Sequence, residues 1–223
     1  MAELITGLRV EAIRENLRRV REEVAAAARR SGRDPEAVEI LAATKYVPVG
    51  ELGKLAEAGV RLVGENRAQD LQVKVAAHGQ LFEWDFIGQL QSRRVRVIVP
   101  HVRVIHSLAS ESALRELERW RELARPGLRI LIEVNLAGEP GKAGVAPEEL
   151  DAFIERSSLP VAGLMTMPPS SSDPEDSRRW FAALRELAHS RALQTLSMGT
   201  SQDYVVAVEE GATVVRIGTS LYA

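Results

Sequence analysis

With 223 residues, 45% hydrophobic and 27% charged, the chain is long enough to bury one large core and too apolar to be disordered. A formal charge of −2 excludes the broad basic excess that draws a protein to nucleic acid or anionic membrane. The absence of cysteine excludes disulfides, thiolate nucleophiles and cysteine-held zinc or iron–sulfur sites.

The first seven residues lack a long apolar core behind positive charge, so they do not read as a signal peptide. No stretch reaches the length of a membrane span, and a cytoplasmic location is the default expectation. Residues 8–31 carry Leu8, Ile13, Leu17, Val20 and Val24 at helical spacing, and Ser31-Gly32 ends the pattern. This amphipathic helix makes residues 1–36 a helical extension ahead of the first strand.

Apolar, β-rich runs then alternate with helical segments. The strands fall at 38–44, 61–64, 83–87, 102–106, 128–135, 161–165, 195–197 and 213–217, with helices near 49–58, 66–77, 90–97, 110–124, 147–157, 174–189 and 202–209. This alternation predicts a parallel sheet with helical crossovers. Eight such units in 223 residues predict an α/β chain folded as a single (β/α)8 TIM barrel domain over 1–223. An open doubly wound sheet usually carries a Gly-rich fingerprint after its first strand, where this chain has Lys45-Tyr46-Val47-Pro48. The Pro/Ser-rich piece 167–174 reads as a mobile rim loop, with Ser172 or Asp173 as a helix N-cap.

The four histidines, His78, His101, His106 and His189, lack metal-ligand spacing. His101 and His106 flank Val102-Arg103-Val104-Ile105, which puts them on opposite faces of a strand. All four read as structural residues.

A barrel of this kind gathers function where its strands end. Lys45 ends the first strand and Glu65-Asn66 the second; Gly88-Gln89, Ser107, Asn135 and Thr166 follow the next four. A lysine in such a place either caps the strand in water or sits partly desolvated in a site, where its amine can become nucleophilic. Ser197-Met198-Gly199-Thr200-Ser201 and Arg216-Ile217-Gly218-Thr219-Ser220 close the last two units. Their small residues let backbone N–H groups approach an anion, and these loops are the usual phosphate site of such barrels. Ordinary turn chemistry, with Ser201 capping a helix, is the competing reading.

A phosphate site on one side of the rim and a strand-end lysine on the other suggest pyridoxal 5′-phosphate (PLP), whose aldehyde needs an amine and whose phosphate needs an N–H cradle. Arg216 then lies where a guanidinium meets the pyridine nitrogen and keeps it unprotonated. Lys142, in the glycine-flanked loop 139–144, either reaches the site or is solvated. The run Arg93-Arg94-Val95-Arg96 reads as a solvated helix face, with a small-anion or partner site as the alternative.

Several motifs in order carry a family resemblance. They are Leu41-Ala42-Ala43-Thr44-Lys45, Gly64-Glu65-Asn66, Trp84 through Ser92, Ile105-His106-Ser107, Glu133-Val134-Asn135, Gly163-Leu164-Met165, Leu196 through Asp203, and Val215 through Thr219. The chain resembles the pyridoxal phosphate homeostasis protein family, the proline synthase co-transcribed homologues, which are single-domain relatives of the alanine racemase barrel. The resemblance implies Lys45 as the Schiff-base lysine. It implies Ser201, Gly218 and Thr219, with Met198 and Gly199 beside them, as the phosphate cradle. It further implies Arg216 beside the pyridine nitrogen, Asn66 near the cofactor and Lys142 in the flexible loop. Departures from the family pattern are Val47 for a second lysine, Arg67 for a tyrosine, Asp85 for a histidine, Thr200 for a methionine and Ala223 for a glycine.

The resemblance leaves two functions: a carrier that holds PLP and passes it to PLP-dependent apoenzymes, or a PLP-dependent amino-acid racemase. Barrel racemases resemble a barrel followed by a β domain, whose partner copy brings a catalytic tyrosine. This sequence ends at Leu221-Tyr222-Ala223, and of Tyr46, Tyr204 and Tyr222 none is a clear second proton carrier. On a strand, Tyr46 would point away from Lys45. The expectation is a monomer that binds PLP without efficient turnover. A barrel that binds some other phosphorylated metabolite is the third reading.

Overall fold

The computed structural model describes residues 4–157 and 159–222. Ala223, where the family pattern has glycine, lies outside them. The strands are β1 (Glu39–Ala43), β2 (Leu62–Glu65), β3 (Glu83–Phe86), β4 (Val104–Leu108), β5 (Arg129–Glu133), β6 (Val161–Met165), β7 (Thr195–Thr200) and β8 (Val214–Ile217). The helices are α1 (Val10–Arg30), α2 (Leu52–Glu57), α3 (Ala68–His78), α4 (Val95–Ile98), α5 (Glu111–Arg119), α6 (Leu150–Glu155), α7 (Arg178–His189), α8 (Tyr204–Glu209) and α9 (Thr219–Tyr222).

The strands form a closed barrel in sequence order, every neighbour parallel, and β1 pairs with β8 to complete it. The predicted (β/α)8 TIM barrel is therefore the fold. Alternation along the strands divides its apolar residues. The outward-facing positions join the helices in one large core, while Val104, Leu131 and Met165 make a small separate cluster inside the barrel.

Helix α1 lies on the side of the barrel against α8 and α9, a choice the sequence leaves open. Its buried face includes Ile13, Leu17, Val20, Val24 and Ala27. Beyond its end, Arg33 donates to the carbonyls of Val208 and Ala212, each at 2.9 Å.

Three local outcomes differ from the sequence reading. Strand β4 starts at Val104 and runs through His106, so this histidine lies within the strand rather than at its edge. Strand β7 extends to Thr200, because Gly199 takes a φ of +89° that keeps the chain close to α8. The residues after Gly218 form the short helix α9, anchored by buried Leu221, whose carbonyl accepts from Asn16 Nδ2 at 3.3 Å. Of the two candidate N-caps in the rim loop, Asp173 is the one used, accepting from the Glu175 N–H at 3.0 Å.

Candidate functional site

Strand β1 ends at Ala43, and Thr44 to Val47 make a turn closed by the Val47 N–H donating to Thr44 O at 2.8 Å. Lys45 stands on this turn at the C-terminal rim, exposed to solvent. Of the two settings open to it from the sequence, water or a partly desolvated site, the side chain meets water in this structure. Its Nζ lies 4.8 Å from the centroid of the Tyr46 ring, a cation–π contact. The turn explains this: once the strand alternation stops, neighbouring side chains can share a face, so Tyr46 does not point away.

The turn is held from below. Lys74 of α3, buried, donates to Thr44 O at 2.8 Å and forms an ion pair with buried Glu65 at the end of β2. Glu65 also accepts the Thr44 hydroxyl at 2.7 Å and the Asn66 N–H at 3.1 Å. Asn66 is thereby fixed by its backbone, and its Oδ1 is buried without a hydrogen-bond partner among the described residues. An acceptor in that state calls for a donor supplied by something else.

The loops after β7 and β8 are joined by one hydroxyl. Ser201 Oγ accepts the N–H of Gly218 at 3.0 Å and of Ser220 at 3.3 Å, so it bridges two loops rather than capping a helix of its own. A Cβ built on Gly218 would enter open space, its nearest neighbour being the Ala43 Cβ at 3.9 Å. Thr219 is exposed beside it. This opening, bounded by small residues and by the Ser201 and Thr219 hydroxyls, fits a phosphate.

Gly199 and Met198 lie on β7 just before Ser201. A Cβ on Gly199 would come 2.5 Å from the Ala207 Cβ, so the glycine allows α8 to pack. The Met198 side chain is buried in the core between sheet and helices. Both residues can therefore offer only backbone to a ligand.

Because β1 closes against β8, with Leu41 opposite Arg216, Lys45 and the loop after β8, which Ser201 ties to the loop after β7, are neighbours along the rim. The sequence reading had set them on opposite sides.

Arg216 is buried at the inner end of this opening. Its Nη1 donates to Ser197 Oγ at 2.5 Å, and its Nη2 to Thr166 O at 3.1 Å and Met167 Sδ at 2.8 Å. Burial pushes its pKa down to about 10, against the opposing charges of Glu133 and Asp203. Glu133, at the end of β5, is buried, and burial raises its carboxyl above the ordinary range although Arg216 and Lys142 pull it down.

Lys142 pairs with Glu139 of its own loop. That loop is pinned by Asn135, whose Nδ2 donates to Glu139 O at 3.1 Å. Among the described residues no group of three His, Asp or Glu side chains could hold a metal ion. A groove of about 560 Å³ lies between α1 and the first two strands, away from the rim, and holds none of the residues above.

Sequence reasoning missed the interior partners. Asp85, His106 and Ser197 are fully buried and hydrogen-bonded to one another: His106 Nε2 lies 3.1 Å from Asp85 Oδ2, and its Nδ1 2.8 Å from Ser197 Oγ. The available signal was a histidine, an aspartate and a serine at inward positions of three strands, each of which alone reads as nothing special. Lys74 gave no signal, since a lysine on an amphipathic helix is normally solvated.

Residues 8–223 match the model of the family described as alanine racemase, N-terminal domain. The chain belongs to that family. It is 40% identical over 219 residues to the pyridoxal phosphate homeostasis protein of Aquifex aeolicus, covering 93% of this chain and 96% of the relative. It is 38% identical over 217 residues to the protein of the same name from Pseudomonas aeruginosa, covering 94% of each. Among solved structures, PipY of Synechococcus elongatus with PLP bound superposes with a TM-score of 0.78 at 31% identity, covering 95% of this chain and all (100%) of PipY.

Proposed function

We propose that this protein binds PLP and serves in PLP homeostasis, with Lys45 Nζ holding the aldehyde carbon covalently and without efficient turnover. When bound, PLP supplies a reactive aldehyde and an electron-accepting ring. The observation that carries the reading is Ser201 joining the loops after β7 and β8 around an opening beside Lys45, with Arg216 buried at its inner end. In this reading Ser201, Gly218 and Thr219, backed by the main chain of Met198 and Gly199, receive the phosphate. Arg216 faces the ring nitrogen, and a cation there disfavours protonation of that nitrogen, which weakens the ring as an electron sink. Asn66 offers its unpaired Oδ1. Lys142 borders the mouth from the loop after β5. The names of the relatives, and PLP in the PipY structure, support the same assignment.

The tyrosines support binding over racemisation. Tyr222 donates to Ala43 O at 3.2 Å, and burial with the Glu65 charge raises its pKa well above the ordinary value. Tyr204 is tied to Glu23 on α1, and burial and that carboxylate raise it too. Tyr46 lies against Lys45 itself. None is set as a second proton carrier. The reading includes a monomeric, cytoplasmic carrier that delivers PLP to apoenzymes; no helix among the described residues is long and apolar enough to cross a membrane.

The test is direct. Added PLP should turn the protein yellow, and borohydride should fix a pyridoxyl group on the Lys45 peptide, neither occurring in Lys45→Ala. A colourless protein with no labelled peptide sinks the reading in favour of another phosphorylated ligand. Alanine racemisation faster than free PLP alone, lost in Lys45→Ala, would favour the racemase.

A further inference from the structure

A continuous hydrogen-bonded chain crosses the inside of the barrel and ends on Arg216. Arg216 Nη1 donates to Ser197 Oγ at 2.5 Å, Ser197 Oγ lies 2.8 Å from His106 Nδ1, and His106 Nε2 lies 3.1 Å from Asp85 Oδ2. Asp85 also accepts from Arg103, at 3.0 Å from Nη2 and 3.2 Å from Nε. Arg103 in turn pairs with Glu39 at the start of β1, its Nη2 2.9 Å from Oε2. The members come from β1, β3, the segment before β4, β4 itself, β7 and β8, so only barrel closure brings them together.

The chain has one consistent direction. A carboxylate can only accept, so Asp85 requires a proton on His106 Nε2. A guanidinium can only donate, so Ser197 Oγ accepts from Arg216. The Ser197 proton is then free to point at His106 Nδ1, which must be bare. Every polar group in the row is satisfied by a neutral imidazole of this single tautomer. The reverse tautomer would aim a lone pair at Asp85 and set two donors on Ser197.

The surrounding charges agree. Burial drives the His106 pKa down, Arg216 and Arg103 add to this, and Asp85 opposes it, so the ring stays neutral. Burial would raise Asp85, but His106 and Arg103 outweigh it and the carboxyl stays ionised.

Among the described residues Arg216 touches no carboxylate. Its hydrogen-bond partners are a hydroxyl, a backbone carbonyl and a thioether, all neutral, while Glu133 and Asp203 act on it only through space. A carboxylate in direct contact would spend the guanidinium's charge on itself. A long arginine without an anchor would sample many rotamers. The row solves both problems, since it fixes the side chain while keeping the fixed negative charge of Asp85 two groups away.

We propose that His106 is a positioning residue for Arg216: anchored by Asp85 as the neutral Nε2–H tautomer, it takes the Ser197 hydroxyl proton in a hydrogen bond and so turns a Ser197 lone pair onto the guanidinium. This rests on the reading of Arg216 as the partner of the PLP ring nitrogen for its purpose, but not for its geometry.

The experiment has two arms. In the first, without PLP, nitrogen NMR of histidine-labelled protein should show His106 protonated at Nε2 and bare at Nδ1 near neutral pH. Arginine NMR should show the Arg216 Nη1–H, the donor to Ser197 Oγ, protected from hydrogen exchange, with protection falling about tenfold or more in Ser197→Ala and in His106→Asn, the scale of one charge-assisted hydrogen bond. A His106 proton on Nδ1, or unchanged Arg216 protection in folded variants, overturns the proposal, and the wild-type tautomer decides even if neither variant folds. In the second arm, nitrogen-labelled PLP bound to wild type should show an unprotonated ring nitrogen. Its signal should move in Ser197→Ala while the pyridoxyl group still forms on Lys45. A wild type that takes up no PLP would defeat the reading of the site and leave the first arm to decide the positioning.

Discussion

Lys74 and Glu65 form an ion pair sealed between α3 and the end of β2, with 5% and 0% of their side chains exposed. From this pair hang the carbonyl of Thr44, the hydroxyl of Thr44 and the N–H of Asn66. The turn bearing Lys45 and the entry to Asn66 are therefore set by one buried contact. Removing one partner of such a pair strands the other charge in the interior, which costs more than the pair contributes. Lys74→Met should lower stability by about 3–5 kcal/mol in urea unfolding. It should also weaken PLP uptake, because Thr44 and Lys45 lose their anchor. A loss below about 1 kcal/mol, the range of surface pairs, would mean the charge is not buried in solution.

Ser201 holds two N–H groups from the β8 side, those of Gly218 and Ser220. Ser201→Ala releases both and removes a hydroxyl from the cradle. PLP affinity should fall about tenfold in equilibrium titration, equivalent to about 1.4 kcal/mol. The yellow species should still form at saturation, since Lys45 Nζ is untouched. Wild-type affinity in this variant would take Ser201 out of the phosphate site.

Gly199 and Gly218 separate fold from ligand. At Gly199, a φ of +89° and a Cβ 2.5 Å from the Ala207 Cβ predict that Gly199→Ala destabilises the barrel by about 2–3 kcal/mol. At Gly218 the nearest obstacle is 3.9 Å away, so Gly218→Ala should stay within about 1 kcal/mol of wild type. The new methyl would instead fill the opening and cut PLP binding. Equal effects of the two substitutions on stability would contradict the geometry.

Glu133 gives a pH dependence with a definite sign. Its carboxyl is raised from an ordinary 4.5 chiefly by burial, so the folded chain binds this proton more tightly than the unfolded chain. Its contribution to stability is complete below 4.5 and is lost as pH rises through the folded value. Glu133→Gln has no such loss. Its stability relative to wild type should therefore grow as pH rises above 4.5, measured as the difference in Tm at each pH. A difference that shrinks over that range would reverse the assignment.

The barrel was legible because its strands are short apolar runs cut by turn residues, and period and punctuation are local properties of sequence. The small residues near the ends of β7 and β8 were legible for the same reason: Gly199 and Ser201, and Gly218 and Thr219, each stand within a few positions of one another. The strand limits of β4 and β7 were less so. A buried histidine continues a strand when it finds partners inside, and Gly199 prolongs one when a helix needs close approach.

The sequence by itself determined the order of elements, the family and the identities of the rim residues, because each of these is written within a few neighbouring positions. Only the tertiary structure decided that Lys45 adjoins the phosphate loops, that Tyr46 lies against its ammonium, and that Asp85, His106 and Ser197 line up behind Arg216. Those relations depend on closure of β1 against β8 and on the inward face of every strand. The residues concerned are up to 174 positions apart (Lys45 to Thr219, 219 − 45), a separation over which contacts are set by the packed fold and not by sequence spacing.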